Sequence, residues 1–237
     1  AAFGWGRGAA EDPDFVAREA GLAAAAPAAP KSLDLYIEER AAFLTDYQDA
    51  AYAARYRALV ETARRAEAAA LPGEERFARA VAASAFKLMA YKDEYEVARL
   101  HRDPAFRRQL AAQFEDGFKL TYNLAPPLLS RIDARTGHPA KIAFGRWIEA
   151  AFWLLTKLKG LRGTRFDPFG RTAERRLERQ LVTDFAAEVG RLSQALTAQN
   201  HAVAVELAAL PQDIRGYGHV KLAAIQRVEA RRAELMR

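Results

Sequence analysis

Apolar positions recur at helical spacing along most of this chain, and the breaks between the runs define its elements. From Ser32, a residue suited to cap a helix N-terminus, Leu33, Ile37, Ala41, Leu44, Tyr47, Ala51, Ala58 and Leu59 keep that rhythm through about Ala70. Leu71-Pro72-Gly73 ends the run and reverses the chain. A second helical run, Glu74 to about Leu100, returns alongside the first, so the spacing predicts a long antiparallel helical hairpin. Asp103-Pro104 then pairs a capping residue with a first-turn proline and starts a helix to about Glu115.

After Asp116-Gly117 the period changes to two. Phe118, Leu120, Tyr122 and Leu124 alternate with Lys119, Thr121 and Asn123, the signature of a strand that Pro126-Pro127 halts. Leu128–Ile132 and Lys141–Phe144 flank a turn-rich loop around Thr136-Gly137-His138-Pro139, which predicts a hairpin. Helix resumes over Gly145–Lys159, where Trp147, Ile148, Ala151, Phe152, Trp153, Leu154 and Leu155 are apolar almost all round; such a helix is central or faces a partner. Leu161–Gly170 reads as an ordered loop. A helix from Thr172 carries Leu177, Leu181, Phe185, Val189, Leu192 and Leu196 on one face, continues through Asn200–Leu210 to Pro211, and Ile214–Lys221 leads into a last charged helix. The fold class is therefore mainly α: the hairpin, further helices, and a small antiparallel β-hairpin or sheet near 117–144.

Residues 1–31 differ. Phe3-Gly4-Trp5-Gly6 looks like the tail of a preceding domain, and the alternating Ala and Pro of 23–31 cannot hold a regular helix, so this stretch is expected to be a linker. Residues 32–237 are expected to form one mostly helical accessory domain. The chain lacks an initiator Met and a signal-peptide pattern, and is expected to be a piece of a larger protein.

Charge sharpens the picture at one place. The formal net charge is +6, and the segment 157–179 holds eight of the cations (Lys157, Lys159, Arg162, Arg165, Arg171, Arg175, Arg176 and Arg179) against Asp167, Glu174 and Glu178. A second basic cluster, Arg215, His219 and Lys221, sits in IRGYGHVK (214–221) at the start of the last helix. Both loops contain glycines that free the backbone, and both can aim guanidinium or ammonium groups at phosphate or carboxylate. Arg162, Arg165, Arg171, Arg175, Arg215, His219 and Lys221 are the candidate anion site. The competing reading is internal. The stretch 86–100 (FKLMAYKDEYEVARL) mixes Lys92, Asp93, Glu94, Glu96 and Arg99 with Tyr91, Tyr95, Val97 and Leu100. On a continuous helix Lys92 and Glu96 share a face, as do Tyr91 and Tyr95. Buried acids there need cationic partners, and the same arginines can tether the loops to the hairpin.

Other chemistries find little purchase. There are no cysteines, so the chain offers no disulfide, thiolate zinc site or iron–sulfur cluster of its own, which accords with a reducing cytoplasm. His101, His138, His201 and His219 fall in separate segments, with no metal-like spacing, and no phosphate-cradling glycine loop or GxSxG occurs. No apolar run approaches the roughly 20 residues of a membrane span. A basic patch of this kind also suits nucleic acid, but it comes without a nucleic-acid-binding signature, so a nucleic-acid-binding helical domain stands as the third reading.

Several segments taken in order resemble the C-terminal region of the long, fused bacterial indolepyruvate ferredoxin oxidoreductases: FLTDYQDAAYAARY (43–56), YKDEYEVARL (91–100), LAPPLL (124–129), LRGT (161–164), DPFG (167–170), ERRLER (174–179) and IRGYGHVK (214–221). The resemblance implies a parent enzyme that oxidatively decarboxylates aryl 2-oxoacids with thiamine diphosphate, coenzyme A and an iron–sulfur relay to ferredoxin. Those cofactors would be held by domains upstream of this chain. No catalytic residue carries over, and the piece itself is expected to be an accessory domain that contacts those upstream domains or another copy of itself, with ferredoxin as a further partner.

Overall fold

A computed structural model describes residues 31–114, 119–124 and 140–237 of the chain. Among them are nine α-helices and a two-stranded antiparallel sheet, the mainly α fold that the periodicity predicts. The expected linker 1–31, apart from Lys31, the Asp116-Gly117 turn, and the segments 128–132 and 136–139 lie outside the described residues. The chain divides into two compact units after Leu35, within the first turn of α1; the sites described below belong to the unit 36–237.

The long first run is two helices, α1 (Leu33–Tyr47) and α2 (Ala50–Ala70). Apolar spacing runs straight through the break, but Asp49 takes an extended conformation and its carboxylate accepts from Tyr52 N at 2.7 Å, which starts α2 afresh. At the other end the Ser32 hydroxyl accepts from Leu35 N. The returning run also divides, into α3 (Arg76–Met89) and α4 (Glu94–Arg102). Asp93 caps α4 by accepting from Glu96 N at 2.8 Å, so Tyr91 and Lys92 stand outside any helix and the expected pairs with Tyr95 and Glu96 do not form. α5 (Pro104–Gln113) begins at capped Asp103 with its proline in the first turn.

α3 lies at the centre, packed on α2, on α7 (Ala173–Gln194) and on α8 (His201–Ala209). Its buried residues Phe77, Ala78, Val81, Ala82, Ala85, Leu88 and Met89 span two adjoining faces. The alanines let neighbouring backbones approach, and each large side chain removed from water contributes roughly 1.5–3 kcal/mol. α2 answers with Tyr52, Ala53, Tyr56, Val60 and Ala63 at helical spacing.

A second, smaller core sits where α4 packs on α6 (Ile148–Lys157). Ala98, Tyr122, Phe144 and Phe152 are buried there, with Leu120, Leu124, Ile148 and Leu155 against them. The sheet contributes to this core: β1 (Tyr122–Leu124) pairs with β2 (Ile142–Phe144), Tyr122 opposite Phe144. Of the strand expected at 118–124, Tyr122–Leu124 pairs with Ile142–Phe144, which the sequence sets across a hairpin from 128–132. A 3-10 turn (Lys159–Leu161) follows α6, a second (Leu210–Asp213) follows α8, and α9 (Gly218–Leu235) closes the described chain.

Candidate functional site

The basic loop 161–172 is built on a buried carboxylate. Asp167 accepts from Gly163 N at 2.8 Å, Phe169 N at 3.0 Å and the Tyr95 hydroxyl at 3.1 Å. Arg179 donates to Gly170 O at 2.6 Å and closes the loop onto α7. A Cβ at Gly170 would stand 2.6 Å from an Asp167 oxygen, so only glycine fits the turn.

Within this frame the candidate residues separate into two groups. Arg162 is buried. Its Nε and Nη2 fork onto the two oxygens of Asp93 at 2.5 and 2.9 Å, and its Nη1 donates to Tyr47 O. The guanidinium also stands 3.6 Å from the Tyr47 ring centroid, a favourable cation–π arrangement. Burial works against the Arg162 charge, but the hydrogen bonds it donates to Asp93 and the nearby Asp93 charge outweigh it and hold the group well above the usual arginine range. Arg175 forms a 3.5 Å ion pair with Glu94. Burial nevertheless pushes the Glu94 carboxyl above the usual carboxylate range, against the pull of Arg175.

The two basic segments touch at one carboxylate of α7. Lys221, from the start of α9, contacts Glu178 at 2.5 Å, and Arg175 approaches the other oxygen of that carboxylate at 4.0 Å. Arg162, Arg175 and Lys221 are thus strung along Asp93, Glu94 and Glu178, one acid for each base. Glu96, the third acid of the stretch, is forked by Arg99 of its own helix at 2.8 Å through both oxygens. These charges act as tethers between α4, the 161–172 loop, α7 and α9.

Arg165 and Arg171 belong to the second group. Both are exposed. Arg171 donates to Arg165 O at 3.2 Å, and Arg176, also exposed, donates to Arg171 O at 2.8 Å. None of the three forms an ion pair with a described residue. Two guanidinium groups on the loop and a third on the first turn of α7 are therefore gathered with no carboxylate among the described residues to neutralise them, beside Phe166, which is 65% exposed. Arg215 is exposed too, with a long 3.5 Å contact to Gln212 O, and His219 is exposed at the first turn of α9.

The sequence reading did not anticipate one buried cluster. Glu67 of α2 accepts from Phe77 N and Ala78 N at 2.8 and 2.9 Å, so its carboxylate caps the N-terminus of α3 from a neighbouring helix. His201 Nε2 lies 2.6 Å from the same carboxylate, and Arg76 lies 3.5 Å from His201 Nδ1 while gripping Glu74 at 2.8 Å. Glu67, Glu74 and His201 are close enough to share a cation. However, both Glu67 oxygens are taken by backbone donors, and a guanidinium already stands beside the imidazole. The cluster is a three-helix junction. Its sequence signal was slight: three residues 134 positions apart at the extremes, none with a helix-capping spacing of its own.

The third feature is apolar. On α6 and its flanks, Trp147 is 67% exposed, Trp153 and Leu154 each 51%, and Leu158 37%. At spacings of six, seven and eleven from Trp147 they lie along one side of the helix, opposite the buried Phe152.

These features define a helical domain pinned by internal ion pairs, with one uncovered apolar helix face and one unneutralised arginine loop. Residues 33–234 match the model of a family of unknown function, DUF6537, and the chain belongs to that family. Comparison with curated proteins and with solved structures gives no match.

Proposed function

We propose that this chain is a cytoplasmic accessory domain, C-terminal in a thiamine-diphosphate-dependent indolepyruvate:ferredoxin oxidoreductase, and that it serves contacts with the upstream domains or between subunits rather than chemistry. The ordered set of motifs from FLTDYQDAAYAARY to IRGYGHVK supports the assignment. The observation that carries the contact role is the α6 face, where Trp147, Trp153, Leu154 and Leu158 remain exposed. Large aromatic and aliphatic side chains grouped in this way mark surfaces that another polypeptide covers.

The test is to produce the upstream thiamine- and cluster-bearing domains as one polypeptide and this chain as another, and to measure their association and ferredoxin reduction. Association should be saturable, and the paired substitution Trp153→Glu with Leu154→Glu should weaken it at least tenfold while the circular dichroism of the chain stays the same. Upstream domains that are equally stable and active without this chain would sink the proposal.

Arg165, Arg171 and Arg176 favour a second reading, an anion-binding module for coenzyme A phosphates or for an acidic face of ferredoxin. On that reading, calorimetric titration with coenzyme A gives saturable binding that weakens with salt, and Arg165→Ala with Arg171→Ala abolishes it. Of the original candidate set, Arg162, Arg175 and Lys221 already hold acids, so the exposed arginines must supply the affinity.

A further inference from the structure

Between α4, α5, β1 and the start of α6 lies a cavity of about 330 Å³, lined by His101, Phe106, Arg107, Leu110, Leu120, Tyr122, Arg146 and Glu149. It is separate from both basic loops and from the Glu67 cluster. Its walls are rings and leucines. The His101 imidazole stacks on Phe152 with centroids 5.2 Å apart and planes 14° from parallel, and meets Tyr122 and Phe106 edge-on at 5.2 and 5.8 Å. Neither ring nitrogen has a hydrogen-bond partner among the described residues. Burial pushes the imidazole below the usual histidine range, so at neutral pH it presents one donor and one acceptor.

The rim carries charge with a surplus. Arg107 donates to Glu149 at 2.8 Å, and Tyr122 donates to the other oxygen of Glu149 at 3.1 Å. Although burial opposes it, these hydrogen bonds keep the Glu149 carboxyl below the usual range. Arg146 stands 3.9 Å from the same carboxylate, too far for a hydrogen bond, with 77% of its side chain exposed. Two guanidinium groups thus share one carboxylate, and Arg146 retains an open fork. Small-molecule sites are mostly apolar, with a few convergent polar groups, and span about 300–1,000 Å³. The volume is at the small end of that range and suits a single ring or a short branched chain.

We propose that this cavity binds a small organic carboxylate with a compact apolar body, the body held among Phe106, Leu110, Leu120 and Tyr122, the carboxylate on Arg146, and a hydrogen bond from His101. An ionised carboxylate takes both directions of the open guanidinium fork in charge-assisted bonds, whereas a neutral carbonyl offers one weaker acceptor, and the body replaces water against the rings. The inference does not depend on the oxidoreductase reading.

The experiment is a fluorine NMR titration of the full 237-residue chain with 4-fluorobenzoate, a probe whose ring and carboxylate match the two halves of the cavity. Saturable broadening is expected, with 4-fluorobenzamide, the uncharged counterpart, showing none at the same concentrations. Arg146→Gln should weaken benzoate binding about tenfold, the loss of one charge-assisted contact. Because Arg146 is exposed, this variant should keep its helical circular dichroism. The proposal is overturned if benzoate does not saturate, if the amide binds as well as the acid, or if folded Arg146→Gln binds benzoate unchanged.

Discussion

At Arg162 two carboxylate oxygens and a backbone carbonyl take up three N–H directions of one guanidinium, with Tyr47 beneath it. Removing the arginine leaves Asp93 buried with its charge uncompensated, which costs about 3–5 kcal/mol. Arg162→Ala should therefore lose that much in urea unfolding. Arg162→Lys keeps the charge but cannot fork, and should lose about 1–3 kcal/mol. Combining Arg162→Ala with Asp93→Asn should be less damaging than the two separate losses added together, because residues in contact are not independent. His101 makes a prediction of the opposite kind. Its folded-state pKa is lowered by burial, so just below the ordinary histidine pKa the unfolded chain binds more protons than the folded one. Stability must then fall as pH drops from about 6.5 towards the lower folded value. His101→Phe, which keeps the ring stack, should remove this component from the pH dependence of the urea midpoint. An unchanged pH profile in the variant would contradict it. The sequence made the first of these residues legible and not the second: acids buried among tyrosines demand arginines, whereas nothing local distinguishes a histidine that will be boxed by rings from distant segments.

For the elements, capping rather than periodicity decides where helices stop. The apolar rhythm passes unbroken through Gln48-Asp49 and through Lys92-Asp93, because consecutive helices bury the same side of the chain. The signal for both breaks was nonetheless present: Asp49 caps through Tyr52 N, and Asp93 stands three residues before Glu96, the spacing of a capping box. Glu96 does not complete that box, since its side chain turns to Arg99 instead. The junction at Glu67 was illegible for a different reason. There a helix end is capped by a residue of another helix, which no local pattern encodes. The physical consequence is testable. Glu67→Ala would leave Phe77 N and Ala78 N without an acceptor in a dry site and strip His201 of its partner. A loss of about 3–5 kcal/mol is expected, larger than the roughly 0.5–2 kcal/mol for removing an ordinary cap such as Asp49→Ala. In a double-mutant cycle with His201→Ala, the two losses should overlap, and strictly additive losses would show that the imidazole and carboxylate act independently.

Across the whole molecule, charge and apolar surface are arranged in opposite ways. The charges that the sequence concentrates at 157–179 are partly spent internally, on Asp93, Glu94 and Glu178, and partly left exposed at Arg165 and Arg171 on the loop and Arg176 at the start of α7. The apolar residues of α6, by contrast, are more numerous than its own core can absorb: Phe152 fills the interior, while Trp147, Trp153 and Leu154 stay half exposed or more. A helix apolar all round was legible from the sequence; which side would be left over was not, because that depends on how α4 and the sheet close against it. Among the described residues no helix is long and apolar enough to cross a membrane, so the surplus is not explained as a span. If the face exists for a partner, its residues contribute little to the stability of the chain alone. Trp153→Glu with Leu154→Glu should then shift the unfolding free energy by no more than about 0.5 kcal/mol per site, while association with the upstream domains falls at least tenfold. Should the pair instead unfold the isolated chain, the two side chains would be part of its core, and the contact role would have to rest on another surface.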